Sequence, residues 1–183
     1  MKLFYLICSL AFFVGCNSQS NKTINEVSDQ EKDSERITPK DIESLKFTDY
    51  VLSPEASQAV VNWQRYQELM TQMEFLKKAD FSFFGGKNEL LMNFLKDLQS
   101  DIPPSVATPA IKERLIALET KLLKLHSTLK LSNVKKKEML SNIKELLVAT
   151  SNLHLQINKK FELESQVIEN PNKHSAAIDS LGI

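Results

Sequence analysis

The stretch Thr108–Leu129, TPAIKERLIALETKLLKLHSTL, decides the fold of this chain. Its apolar residues Ile111, Leu115, Leu118, Leu122, Leu125 and Leu129 step by 4-3-4-3-4. At 3.6 residues per turn that spacing puts them all on one stripe, the seam of a helix packed against another helix. Thr108 can accept a hydrogen bond from a first-turn amide, and Pro109 fills a first-turn position that needs no donor. A half-buried strand would alternate instead, and nothing here does.

Working outward toward the C-terminus, a turn near Leu131-Ser132-Asn133 leads into another helical stretch reaching about residue 168. Leu140, Ile143, Leu147, Ile157 and Phe161 mark its seam. It would span about 54 Å against about 33 Å for the 108–129 helix, from a rise of ~1.5 Å per residue. The mismatch calls for a second packing partner or a bend, and the weak helix formers Thr150-Ser151-Asn152 are the candidate bend point. From Asn170-Pro171-Asn172 onward the chain reads as a frayed tail.

Toward the N-terminus, a helix over about 88–99 carries Leu91, Phe94, Leu95 and Leu98 on one side. Ile102-Pro103-Pro104 stops it, because proline lacks the amide donor. A longer helix opens at Ser53 as cap with Pro54 and Glu55 behind it. Ala59, Trp63, Tyr66, Met70 and Met73 form its seam, flanked by Val60, Leu69 and Leu76, and its end is expected before Gly85-Gly86. Thr38-Pro39 can cap a short helix over 39–47. The whole chain holds only four glycines and shows no internal repeat. The expected fold is all-α: an antiparallel helical bundle of three to four main helices over residues 41–183.

The first sixteen residues follow other rules. Lys2 gives a positive start, Leu3 to Val14 an apolar run, and Phe13-Val14-Gly15-Cys16 a cleavage box with a small residue before the cysteine. Twelve residues are too few for a membrane span, which takes roughly 20. The box resembles that of bacterial lipoprotein precursors, with Phe13 where an aliphatic residue is usual. The resemblance implies a signal peptide over 1–15, and a Cys16 that becomes the diacylated, palmitate-bearing first residue of the mature protein. It also implies a Gram-negative envelope, and Asn17 in place of aspartate implies delivery to the outer membrane, facing the periplasm or exposed at the surface. Two or three acyl chains anchor a protein where one does not. Residues 16–40 contain few sizeable apolar side chains, so they read as a flexible linker. The mature domain resembles small helical envelope lipoproteins of Gram-negative bacteria in architecture.

Composition excludes several functions. Cys8 would leave with the signal and Cys16 would be acylated, so the mature domain has no thiol for a disulfide, a nucleophile or a zinc site. Its 22 basic and 23 acidic residues give no global case for a nucleic-acid partner. No serine elbow, phosphate loop or carboxylate pair can be nominated, so no enzyme, cofactor or metal is expected. His126 and His154 would stand about 24 Å apart across a hairpin, too far to share a metal, and His154 falls on the projected seam beside Thr150. His174 lies in the tail. The Trp63-Met70-Met73 stripe has core spacing.

Two stretches invite an interaction. Asp80 to Gly86, with Phe81, Phe83, Phe84, Gly85 and Gly86, reads either as an exposed apolar loop or, more commonly for such segments, as a helix cap whose aromatics drop into the core. Lys135, Lys136 and Lys137 head the last helix, where the macrodipole disfavours cations. They belong to a basic stretch, residues 112–144, with nine basic and three acidic side chains, against six and ten in residues 41–101. The patch could meet lipid headgroups or an acidic partner, or simply complement the acidic half. The expectation is a lipid-anchored envelope module that binds or scaffolds a protein partner. Its alternative is an enzyme or small-ligand carrier with a polar site around His154 inside the bundle.

Overall fold

A computed structural model describes residues 36–169, with side chains through residue 166. The signal, Cys16, most of the linker, His174 and the tail from Asn170 lie outside the described residues. The described chain is all-helical, without a strand. Its helices are α1 (Pro39–Glu43), α2 (Pro54–Val60), α3 (Gln64–Lys77), α4 (Asn88–Ser100), α5 (Pro109–Leu129) and α6 (Lys136–Glu169), with a 3-10 turn at Pro104–Val106.

α5 follows its sequence pattern. Thr108 Oγ1 accepts from the Ile111 amide at 3.3 Å, Pro109 opens the helix, and Ile111, Leu115, Leu118, Leu122 and Leu125 are buried. α6 packs along it, placing Ile143, Leu146, Leu147, Leu153 and Ile157 in the same core. Through Thr150-Ser151-Asn152, the candidate bend point, α6 continues unbroken as one helix of 34 residues. The Thr150 hydroxyl donates to the Leu146 carbonyl at 3.0 Å and that of Ser151 to the Thr48 carbonyl at 2.7 Å. Ser151 is tied to the segment that packs on the helix here, and burial of Thr150 and Ser151 among these contacts keeps the helix continuous despite their weak intrinsic propensity. The extra length of α6 finds a second partner instead, the segment 48–53.

Two boundaries differ from the expectation. The helix anticipated from residue 53 to an end before Gly85-Gly86 is two helices, broken at Val61-Asn62-Trp63. β-branched and Asn residues are weak helix formers, and the break turns Trp63 fully inward, where its indole N–H donates to the Leu98 carbonyl at 3.1 Å. The Gln67 side chain covers the last α2 carbonyl by donating to Val60 O at 2.9 Å. α3 then stops at Lys77, well short of the glycines. Ala79 takes the left-handed position with φ 60°, its amide donating to Leu76 O and that of Asp80 to Phe75 O, the paired bonds of a Schellman stop. The helical domain also begins before residue 41. The Asp41 amide meets the Thr38 hydroxyl and the Asp41 carboxylate accepts from the Thr38 amide, so a capping box opens α1. Ile37 packs against the core beside the buried Ile42.

Candidate functional site

The aromatic segment after α3 takes the inward course. Phe84 is wholly buried, and Phe81 and Phe83 pack against the core. Phe83 meets Phe84 and Phe94 edge-to-face, with ring centroids 5.2 and 5.1 Å apart, the arrangement their quadrupoles favour. The two glycines allow a tight turn: a Cβ on Gly86 would stand 3.2 Å from the Phe83 carbonyl oxygen. Lys130 Nζ donates to the Gly85 and Gly86 carbonyls, and the His126 Nδ1–H to that of Phe84 at 2.7 Å. Of the two readings of this segment, the commoner one, aromatics packed toward the core, is the one formed, and the exposed apolar loop at Phe81, Phe83 and Phe84 is not. The energy of removing Phe84 wholly, and Phe81 and Phe83 partly, from water favours this course over an exposed loop.

A second cluster sits where α6 meets the strap of residues 48–53. Ser151 accepts from the Tyr50 amide at 2.8 Å while donating to Thr48 O. Asn158 accepts from the Ser53 amide and donates to Val51 O, each at 2.8 Å. His154, between them, bonds Tyr50 O through Nδ1 and the Tyr66 hydroxyl through Nε2, both at 2.8 Å. A carbonyl only accepts, so Nδ1 carries the proton and the neutral ring accepts from Tyr66 through Nε2. Burial lowers the His154 pKa from its ordinary value and pushes that of the Tyr66 phenol up, so both stay neutral near pH 7. Tyr66 in turn stacks on Trp63 at 5.2 Å. The strap's backbone polar groups thus find partners on one helix face. Ser151, His154 and Asn158 stand at i, i+3 and i+7, a spacing visible in the sequence as a polar stripe within an apolar seam.

His154 borders a surface hollow of about 280 Å³ together with Asp49, Gln67, Thr71, Glu74 and Lys77. The hollow is open rather than internal, and both imidazole nitrogens are already bound. Lys77 spans Glu74 at 2.9 Å and Asp49 at 3.7 Å. The arrangement can fix the strap in place, but it offers no free base. Among the described residues no three His, Cys, Asp or Glu side chains gather as a metal site.

The basic stretch behaves differently from residue to residue. Of the three lysines heading α6, Lys136 is engaged, 2.8 Å from Asp41, whose carboxyl it holds near a pKa of about 2 together with the Thr38 hydroxyl and amide. Lys135 and Lys137 are exposed. Lys121 and Lys124 both pair with Glu145 at 2.9 Å, lowering its pKa. Lys136–Asp41 is the one ion pair among the described residues that joins the basic stretch to the acidic half. Complementarity between the halves therefore absorbs little of the charge. Lys112, Arg114, Lys135, Lys137 and Lys144 are exposed with no carboxylate in ion-pair range among the described residues. Arg114, Lys121 and Lys144 rim a second hollow of about 280 Å³ between α5 and α6, which Ala117, Val148 and Ala149 help to line. That hollow went unseen in the sequence because its residues come from two helices whose mutual rotation no single periodicity records.

The chain matches no family model, and comparison with curated proteins and with solved structures gives no match.

Proposed function

We propose that this chain is a lipoprotein of the bacterial cell envelope. In this reading Cys16, freed of a signal peptide over residues 1–15, carries the acyl chains. The following residues form a leash, and the helices from Ile37 onward, arranged as an antiparallel bundle, serve as a non-catalytic binding or scaffold module. The observation that carries the reading is the apolar run Leu3–Val14 closed by Phe13-Val14-Gly15-Cys16. Two acyl chains on one cysteine suffice for stable attachment at ~0.8 kcal/mol per buried CH₂, and no described helix is long and apolar enough to cross a membrane. Asn17 favours delivery to the outer membrane, on its periplasmic face.

The binding role has support in the domain itself. Its most prominent histidine, His154, is spent on holding the strap, whereas Lys112, Arg114, Lys137 and Lys144 on the α5–α6 pair have no ion pair among the described residues. Labelled palmitate is expected to enter the wild-type chain and not Cys16→Ala, which stays unprocessed or is recovered outside the membrane fraction. A wild-type chain that takes up no palmitate overturns the lipoprotein reading.

A further inference from the structure

The hollow between α5 and α6 combines a small, partly apolar lining with a cationic rim. Ala117, Val148 and Ala149 leave room near the helix backbones, while Arg114, Lys121 and Lys144 border the opening. Its single carboxylate, Glu145, is shared between Lys121 and Lys124 at 2.9 Å each. Three lining cations thus meet one anion, which Lys124 outside the lining also shares, and Arg114 and Lys144 carry no ion pair among the described residues. Lys137, exposed, stands seven residues or two turns before Lys144 and extends the positive stripe along α6. Cations left unpaired beside an open cleft raise the local concentration of anions.

We propose that this hollow docks the headgroup of an anionic phospholipid, with the phosphate between Arg114 and Lys144 and the first carbons of the glycerol backbone against Val148 and Ala149. The chemistry favours lipid over an acidic helix. A docked helix sets a row of i, i+3/i+4 and i+7 anchors along an elongated groove, whereas this hollow is a single cleft of about 280 Å³. A headgroup needs only charge and a small cleft. The inference rests on the lipoprotein reading in one respect: an anchor at Cys16 keeps the domain beside a headgroup layer, so a weak site is filled by effective concentration.

The test uses the full lipidated chain reconstituted in vesicles of phosphatidylcholine alone or with three parts in ten phosphatidylglycerol. A photoreactive benzoylphenylalanine is placed at position 152, on the hollow, or at position 58, on the exposed side of α2. Adducts are identified by mass. The expected result is phosphatidylglycerol adducts at position 152 well above that lipid's share of the bilayer, and only in proportion to its share at position 58. Arg114→Glu with Lys144→Glu should bring the adducts back to the bilayer proportion, the ratio of phosphatidylglycerol to phosphatidylcholine adducts falling by up to about 25-fold, roughly fivefold for each cation. Lys46→Glu with Lys96→Glu, the same charge change at exposed sites elsewhere, should leave it intact. Adducts in proportion to bilayer composition, enrichment that survives the double reversal, or adducts to a second protein chain overturn the inference. Failure of anchoring is read separately, as protein that does not float with vesicles of phosphatidylcholine alone.

Discussion

The α5–α6 pair and the region N-terminal to it are held by different physics. α5 and α6 meet along two apolar seams, crossed near the turn by the buried Asn142–Thr128 hydrogen bond, so most seam residues repeat the contact of the one before. The region from Ile37 to Val106 has no such repetition. It consists of short helices, turns and a strap, and its geometry depends on single groups: the Trp63 indole on Leu98 O, His126 on Phe84 O, and Ser151, His154 and Asn158 on the strap. A seam spreads its stability over many interchangeable methyl groups, whereas a pinned region concentrates specificity in a few hydrogen bonds whose loss leaves a partner unsatisfied. At the surface the two differ in charge balance, with six basic and ten acidic residues over 41–101 against nine and three over 112–144.

The sharpest way to break the comparison is Trp63→Ala. It removes the largest fully buried side chain together with its hydrogen bond and should cost about 3–5 kcal/mol. Leu118→Ala in the seam should cost about 2–5 kcal/mol. Urea titrations followed by far-UV circular dichroism should give one transition in both variants. A biphasic curve for either would mean that the two regions unfold separately. Next in size, Ser151→Ala strips the Tyr50 amide and the Thr48 carbonyl of their partner and should cost about 1–3 kcal/mol. Amide exchange should quicken first at Tyr50, with α5 still protected; equal loss in both places would erase the distinction.

A smaller effect follows from His154. Burial holds its folded pKa below the ordinary 6.5, so the unfolded chain takes up the proton first as the pH falls. Stability should be flat above about pH 7, decline as the pH drops through 6.5, and level off once the folded ring also protonates. His154→Gln should remove that slope in urea midpoints measured between pH 7.5 and 5, a window above the titration of Asp41. The smallest expected change is a gain. Ala79 sits at φ 60°, where glycine carries no Cβ penalty, so Ala79→Gly should raise stability by ~0.5 kcal/mol after the added freedom of the unfolded chain is offset.

Legibility followed the same division. α5 and α4 could be read almost to the residue, since caps, seam spacing and proline stops are all local signals. The α2–α3 junction could not, because the 4-3-4-3 apolar spacing through Trp63 is identical whether the helix continues or breaks and restarts in register. Gly85-Gly86 looked like a helix stop, but the stop was formed by Ala79, a residue type that carries no left-handed signal. Lys136 was visible as one of three lysines; that it alone would meet Asp41 was not.

By itself the sequence determined that this is an all-helical protein, where its core helices run, that its domain lacks cysteine chemistry, and that Cys16 is the residue to test for lipid attachment. Those properties follow from residue type and short-range spacing, which any helix must obey. Only the tertiary structure decided that the aromatic loop turns inward, that α6 stays whole by taking the strap as its second partner, and which cations are left unpaired around the α5–α6 hollow. Those outcomes depend on which groups meet across a hundred residues of chain, and burial and hydrogen-bond satisfaction settle them only once the helices are packed.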